Sequence, residues 1–183
     1  MSLAELWKYE RAYGLENYRM GPVRIVYATD DVMAMLPKST YLDVGCGRGE
    51  MLDLAEKRGL IVTGLDFVPG LCDGKRVIEG DACDLPFEDD QFDYLTCYDV
   101  LEHLVPGDEQ LALDEFLRVC RGVCFFSTND RPSWLKEQSG DRIDLHVNKR
   151  PQAAWHVDIV DRWPLATFSE KGRTHDWHWR CPK

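Results

Sequence analysis

The chain has 183 residues, 44% of them apolar, which suits one domain with one core and leaves little room for a second. Its 22 basic and 32 acidic residues give a net charge of −10, which disfavours a nucleic-acid backbone as partner. No apolar run approaches the roughly 20 residues of a membrane span.

The N-terminal MSLAELWKYERAYG is too charged for a signal peptide, so a cytoplasmic protein is expected. Within it, LAELWKYERAY sets Leu3, Leu6, Tyr9 and Tyr13 near one helical face, and Gly14 ends that helix. Pro22 opens a second helix, with Val23, Val26, Met33 and Leu36 as its apolar stripe and Pro37 as its stop. TYLDV is a short strand running into glycines. MLDLAEK follows as a helix with Met51, Leu52, Leu54 and Ala55 inward and Gly59 as its cap.

LIVTGL, RVIEG and FDYLTCY read as the next three strands, the first apolar almost throughout, as in parallel sheets covered on both faces. VPGLCDGK, between the first two of these, is too short for a crossover helix and predicts a single turn. DEQLALDEFLRVC is a helix with Leu113, Phe116, Leu117 and Cys120 at i, i+3, i+4 and i+7. Asp108 and Glu109 at its start and Arg118 and Arg121 at its end suit its dipole. GVCFFST is a fifth strand.

The polar stretch 129–150 lacks clean periodicity and is longer than most connections, which marks it as functional or mobile. PQAAWHVDIVDRW is helical, with Trp155, Ile159 and Trp163 on one face. LATFSEK and THDWHWRCP are two strands joined by a turn at Lys171 and Gly172, with Trp177 and Trp179 on the core side and His178 opposite. The alternation predicts an α/β, Rossmann-like three-layer sandwich. Residues 1–183 form one domain, with 1–38 as an N-terminal cover of two helices and 39–183 as the core.

YLDVGCGRG stands at a strand's carboxyl end, where open α/β sheets bind ligands. Gly45, Gly47 and Gly49 give G-x-G-x-G, not the G-x-G-x-x-G of dinucleotide sites, and Asp43 precedes them. A carboxylate there repels a pyrophosphate and attracts an ammonium or sulfonium group. Asp66 closes LIVTGLD and can accept both hydroxyls of a ribose. Asp81 closes RVIEGD, and beside Ala82 it can meet an adenine amino group.

These pieces, in this order, resemble class I S-adenosylmethionine-dependent methyltransferases. LDVGCGRG, GLD, GDACDLPFEDDQFDYLTCYDVLEHL and FLRVCRGVCFFST carry the likeness, which is closest to the small-molecule branch and covers positions 40–128. It implies a seven-stranded, mostly parallel sheet ending in an antiparallel hairpin. It implies S-adenosylmethionine as cofactor, with S-adenosylhomocysteine as its product. Asp43, Gly45, Cys46, Gly47 and Gly49 would line the methionine part, Asp66 would hold the ribose and Phe67 would pack on the adenine. Asp81 and Ala82 would meet the adenine edge, and Cys97 and Tyr98 would face the methionine end through the backbone. Tyr13 and Arg19 are chosen from an N-terminal aromatic cluster to hold the cofactor's carboxylate and roof the substrate.

Methyl transfer from a sulfonium is an in-line displacement that mainly needs alignment and exclusion of water. A hydroxyl nucleophile benefits from a base, and His103 in DVLEHL is the first candidate, with Asp99 the second. His146, Asn148 and Arg150, in DLHVNKRP, are candidate substrate contacts. Seven cysteines at irregular spacing without a C-x-x-C pair argue against a disulfide framework or zinc knuckle, and no metal is expected. The reading is methyl transfer to O or N of a small-molecule acceptor. The alternatives are RNA or protein methylation, a binding module without catalysis, and a nicotinamide-dependent oxidoreductase.

Overall fold

A computed structural model describes residues 3–14, 22–136, 142–171 and 176–183. Two helices, α1 (Leu3–Tyr13) and α2 (Pro22–Ala34), precede the first strand, β1 (Thr40–Val44). Then come α3 (Glu50–Lys57), β2 (Ile61–Asp66), β3 (Val77–Glu79), β4 (Phe92–Tyr98), α4 (Asp108–Val119) and β5 (Cys120–Thr128). After two short strands, β6 (Trp134–Lys136) and β7 (Arg142–Asp144), the chain ends with α5 (Gln152–Arg162), β8 (Thr167–Lys171) and β9 (Asp176–Pro182).

Seven strands form the main sheet in the order β3-β2-β1-β4-β5-β9-β8. The first five are parallel, while β9 runs antiparallel to both β5 and β8. The order reverses between β1 and β4, so the carboxyl ends of β1, β2 and β4 share one crevice. Between β2 and β3 the connection is a single 3-10 turn, Pro69–Leu71, as its length demands.

Side chains alternate across the strands and feed two cores. Leu42, Val44, Leu95 and Phe126 point to α4 and α5, where Phe116, Trp155, Ile159 and Trp163 meet Trp177 and Trp179 of β9. Tyr41, Tyr98 and Phe125 point to the other face, covered by Ala28 and Val32 of α2, by Met35 just after it, and by Met51, Leu52 and Ala55 of α3. That is the three-layer arrangement. The aromatic stripe of α5 and the tryptophan face of β9 are core, as their spacing requires.

Three expectations need correction. Met33 and Leu36 are exposed, and the Ala28–Val32–Met35 face is buried in their place. The i, i+4, i+7 set is equally periodic. Cys120 opens β5 and does not end α4, because the chain turns straight from helix into strand. The polar stretch 129–150 contains the β6–β7 hairpin, paired antiparallel through Leu135 and Ile143. Its strands are three residues each, too short to show a period. The turn at Gly172 lies outside the described residues.

The two N-terminal helices do different work. α2 is a layer of the sandwich. α1 lies over the crevice, where Tyr9 and Ala12 pack with Val68, Leu135 and Leu145. A third, smaller core thus fixes α1 and the hairpin to the β2 end.

Candidate active site

The glycine loop is fastened to the end of β2. The amides of Gly45 and Cys46 donate to the Leu65 carbonyl at 2.8 and 3.1 Å. The Gly47 amide donates to Oδ2 of Asp66 at 2.8 Å, and the Val68 amide donates to Oδ1 at 3.0 Å. Asp66 is only 2% exposed. Burial pushes its carboxyl up, while the two amides pull it back toward the charged form. The loop residues Gly45 and Gly47 have φ of 70° and 55°. A Cβ on Gly45 would stand 2.3 Å from Cγ2 of Val100, and one on Gly47 would stand 2.7 Å from the Tyr13 hydroxyl. Both glycines are therefore required twice, by backbone conformation and by a side chain seated against them.

Asp43 sits behind this loop, 3% exposed, and accepts from Oγ1 of Thr96 at 2.6 Å. The Thr96 proton is committed there, so the Tyr41 hydroxyl donates to Thr96 at 2.5 Å. Burial raises the Asp43 carboxyl to about 7; the Thr96 bond opposes this and the nearby Asp66 adds to it.

A cavity opens at the ends of β1, β2 and β4. Gly45, Asp66, Phe67, Ala82, Asp99 and His103 line it, with Tyr9 and Tyr13 of α1 as its roof. Six predicted contacts that the structure places in one wall are thus joined by Tyr13. Asp99 has a φ of 56°, unusual for a side-chain-bearing residue, and such strain gathers at functional sites. Its amide donates to the Ser127 carbonyl at 3.1 Å.

Other predicted residues stand back from the cavity. Cys46 is buried between loop and sheet, its thiol pushed up by burial. Gly47 and Gly49 shape the turn into α3. Cys97 lies wholly inside the α4–α5 core. The Tyr98 side chain faces the opposite layer and donates to Asp31 at 2.6 Å. Oδ1 of Asp81 accepts from the Cys83 amide at 3.0 Å. Arg19 lies outside the described residues.

Of the three substrate candidates, His146 alone reaches His103, with ring centroids 4.5 Å apart. Arg150 is taken by Glu109 at 2.9 Å and Asp158 at 2.6 Å, with its guanidinium over Trp155. Asn148 donates to Glu109 at 2.8 Å, and its amide donates to the Glu102 carbonyl at 3.0 Å. Glu109 is a buried carboxylate, and these two residues partner it.

Tyr9 and Glu102 are the site residues that sequence reading passed over. The Tyr9 hydroxyl lies 2.5 Å from Nδ1 of His103, and its ring stands edge-on to Phe67 at 5.1 Å. Its place on the inner face of α1 is legible in the spacing, but that face reads as packing. Glu102 adjoins His103 in LEH and is fully buried.

A parallel sheet closed by an antiparallel hairpin, with a glycine turn after β1 and a buried acid ending β2, is a Rossmann-like arrangement of the kind class I methyltransferases have. A family model described as a methyltransferase domain matches residues 42–126. The ubiquinone biosynthesis O-methyltransferase of Pasteurella multocida is 30% identical over 135 residues, covering 62% of this chain and 55% of the relative. That of Salmonella paratyphi A is 32% identical over 147 residues, covering 71% and 59%. The chain spans little more than half the length of these curated relatives.

Among solved structures, the PH0226 protein of Pyrococcus horikoshii superposes with a TM-score of 0.72 at 21% identity, covering 96% of this chain and 99% of that one. The 1,6-didemethyltoxoflavin-N1-methyltransferase of Burkholderia thailandensis, solved with 1,6-didemethyltoxoflavin and S-adenosylhomocysteine bound, gives 0.71 at 16% identity, covering 97% and 86%. Over residues 42–126 the chain matches the methyltransferase-domain family, and its fold is the one these solved structures share.

Proposed function

We propose that the protein transfers a methyl group from S-adenosylmethionine to an oxygen or nitrogen of a small-molecule acceptor. One observation carries this reading. The described cavity lining holds two carboxylates, Asp66 and Asp99, and no Lys or Arg. Such a wall suits a cationic sulfonium ligand and opposes a diphosphate. The residues present fit the cofactor on that ground, and Asp43 behind the loop adds a third acid at the same end of the sheet.

Asp66 would take the ribose hydroxyls while keeping its two amide donors, since each carboxylate oxygen accepts more than one bond. Phe67 and Ala82 would bound the adenine, with Asp81 at its edge. The loop from Gly45 to Gly49 and the backbone at Cys97 and Tyr98 would flank the methionine part, with Tyr13 over it. S-adenosylmethionine, when bound, supplies an already activated methyl group. The chain's own task is then to align the acceptor, exclude water under α1, and hold Asp99 and His103 against the nucleophile. The new bond uses the acceptor's electron pair, the carbon–sulfur pair stays with sulfur, and the acceptor's proton leaves to solvent.

The cavity roofed by Tyr9 and Tyr13 of α1 supports a small acceptor, and the net charge of −10 weighs against RNA. The relatives' names, O-methyltransferase and N1-methyltransferase, agree with O or N as the site of transfer. Among the described residues no helix is long and apolar enough to cross a membrane, and a cytoplasmic site of action is part of the proposal. Calorimetry decides the first step: S-adenosylhomocysteine binds one-to-one and NAD does not. Uptake of NAD alone would overturn the reading. A tritiated-methyl assay against hydroxyl- and amine-bearing metabolite pools then reports the acceptor class.

A further inference from the structure

Glu102 and His103 adjoin in sequence, while His146 is 43 positions away, so no ligand spacing announces them. The fold nevertheless brings one ring nitrogen of each histidine and a carboxylate oxygen of Glu102 within 4.8 Å of one another. This is not a surface cluster: Glu102 is fully buried, His146 is 7% exposed and His103 lines the cavity.

The histidines are also oriented. Nδ1 of His103 faces the Leu145 carbonyl at 2.9 Å, and Nδ1 of His146 faces the Arg131 carbonyl. A carbonyl only accepts, so Nδ1 of His146 carries the proton and that neutral ring's lone pair lies on Nε2, while Nδ1 of His103 also meets the Tyr9 hydroxyl, which can donate to it or accept from it. Main-chain carbonyls that fix a tautomer in this way are the usual outer support of metal-binding histidines. The carboxylate is held as well, since Oε1 of Glu102 accepts from Asn129 at 2.9 Å. Tyr9 braces His103 from the roof.

We propose that Glu102, His103 and His146 form a binding site for one divalent first-row transition ion, best suited to Zn²⁺. Two imidazoles and one carboxylate are a donor set that Zn²⁺ takes and that Mg²⁺ and Ca²⁺, which prefer all-oxygen shells, do not. Zn²⁺ holds such donors at about 2.0–2.2 Å, so ligand atoms on one ion stand about 3–4 Å apart, and small side-chain adjustments close the observed cluster onto it. Three protein donors leave a fourth position, and His103 turns it to the cavity. If methyl transfer is the function, that position favours an acceptor offering a hydroxyl oxygen, because a bound ion lowers the cost of losing its proton. This last clause rests on the proposed activity; the site itself does not.

The test uses the tag-free chain after chelator treatment, titrated with Co²⁺ as a spectroscopic probe. One equivalent produces visible d–d absorption of a nitrogen- and oxygen-ligated ion, and one equivalent of Zn²⁺ abolishes it, while millimolar Mg²⁺ leaves it. His146→Ala and Glu102→Gln weaken Co²⁺ binding at least tenfold with circular dichroism unchanged, and the remote His156→Ala does not. Absence of a stoichiometric band, or equal Co²⁺ affinity in His146→Ala and the parent, overturns the site. S-adenosylhomocysteine binding, measured separately, distinguishes failure of the site from failure of the methyltransferase reading.

Discussion

The carboxylate of Asp66 and the amide of Gly47, nineteen positions apart, meet at 2.8 Å and lock the glycine loop to the end of β2. The acid that sequence pattern assigns to a ribose therefore also holds the cradle in shape. Asp66→Ala removes this bond, the Val68 bond and any contact with the ligand. Charge-assisted bonds are worth about 1.5–3 kcal/mol each. The variant is expected to lose tenfold or more in S-adenosylhomocysteine affinity by calorimetry and also to melt at lower temperature without ligand. Unchanged affinity with a lowered melting temperature would leave Asp66 as a loop fastener alone.

Gly47→Val places a β-branched side chain at a φ of 55° and drives it into the Tyr13 hydroxyl. The strain is local and Tyr13 can swing aside, so the fold persists while the loop and roof shift. Cofactor binding should be abolished with far-ultraviolet circular dichroism retained. Normal binding would place the ligand elsewhere.

His103→Ala is expected to lower turnover by at least tenfold while changing S-adenosylhomocysteine affinity by less than threefold, because His103 lines the cavity and the proposed function sets it against the acceptor. Tyr9→Phe removes only the hydroxyl 2.5 Å from His103 and should give a smaller loss of turnover with cofactor affinity likewise kept. A turnover equal to the parent's in His103→Ala would make the histidine structural.

Arg150 is a different case from the one its sequence position suggests. Its guanidinium is paired with Glu109 and Asp158. Arg150→Ala strands a buried carboxylate and is expected to cost about 1–3 kcal/mol of unfolding free energy in a urea melt. The acceptor's KM should stay within twofold; a large rise in KM at unchanged stability would return Arg150 to the substrate site.

The sheet was legible in the sequence because buried parallel strands are apolar runs and the helices between them carry long stripes. FDYLTCY is β4 residue for residue. The cradle was legible because Asp43, the glycines and Asp66 sit at strand ends, where side-chain position follows from chain position. What was not legible depends on where separate elements meet. Nothing local says that Tyr9 of α1 reaches His103, or that Arg150 spends its charge on α4 and α5. The β6–β7 strands are too short to declare a period, yet Leu135 of β6 and Leu145 just after β7 pack with Tyr9 and Ala12 of α1.

Asp43 provides the pH-dependent prediction. Its carboxyl ionises near 3.8 when exposed and is raised to about 7 by burial in the fold. Between those values the folded state holds a proton that the unfolded state has released. The favourable contribution of this group is therefore complete below about 3.8 and lost as pH rises through about 7. A cationic ligand beside it prefers the ionised form and must expel that proton below about 7. S-adenosylmethionine affinity is thus expected to rise with pH from 5.5 to 7, by at most tenfold per unit, and then level off. Asp43→Asn keeps an acceptor for Thr96 but carries no charge, so its stability should fall less over the same range and its affinity for the cofactor should be lower and flat with pH. Calorimetry at pH 5.5, 6.5 and 7.5 on both proteins reads the difference. Parallel profiles for the two would show that Asp43 does not face the cation.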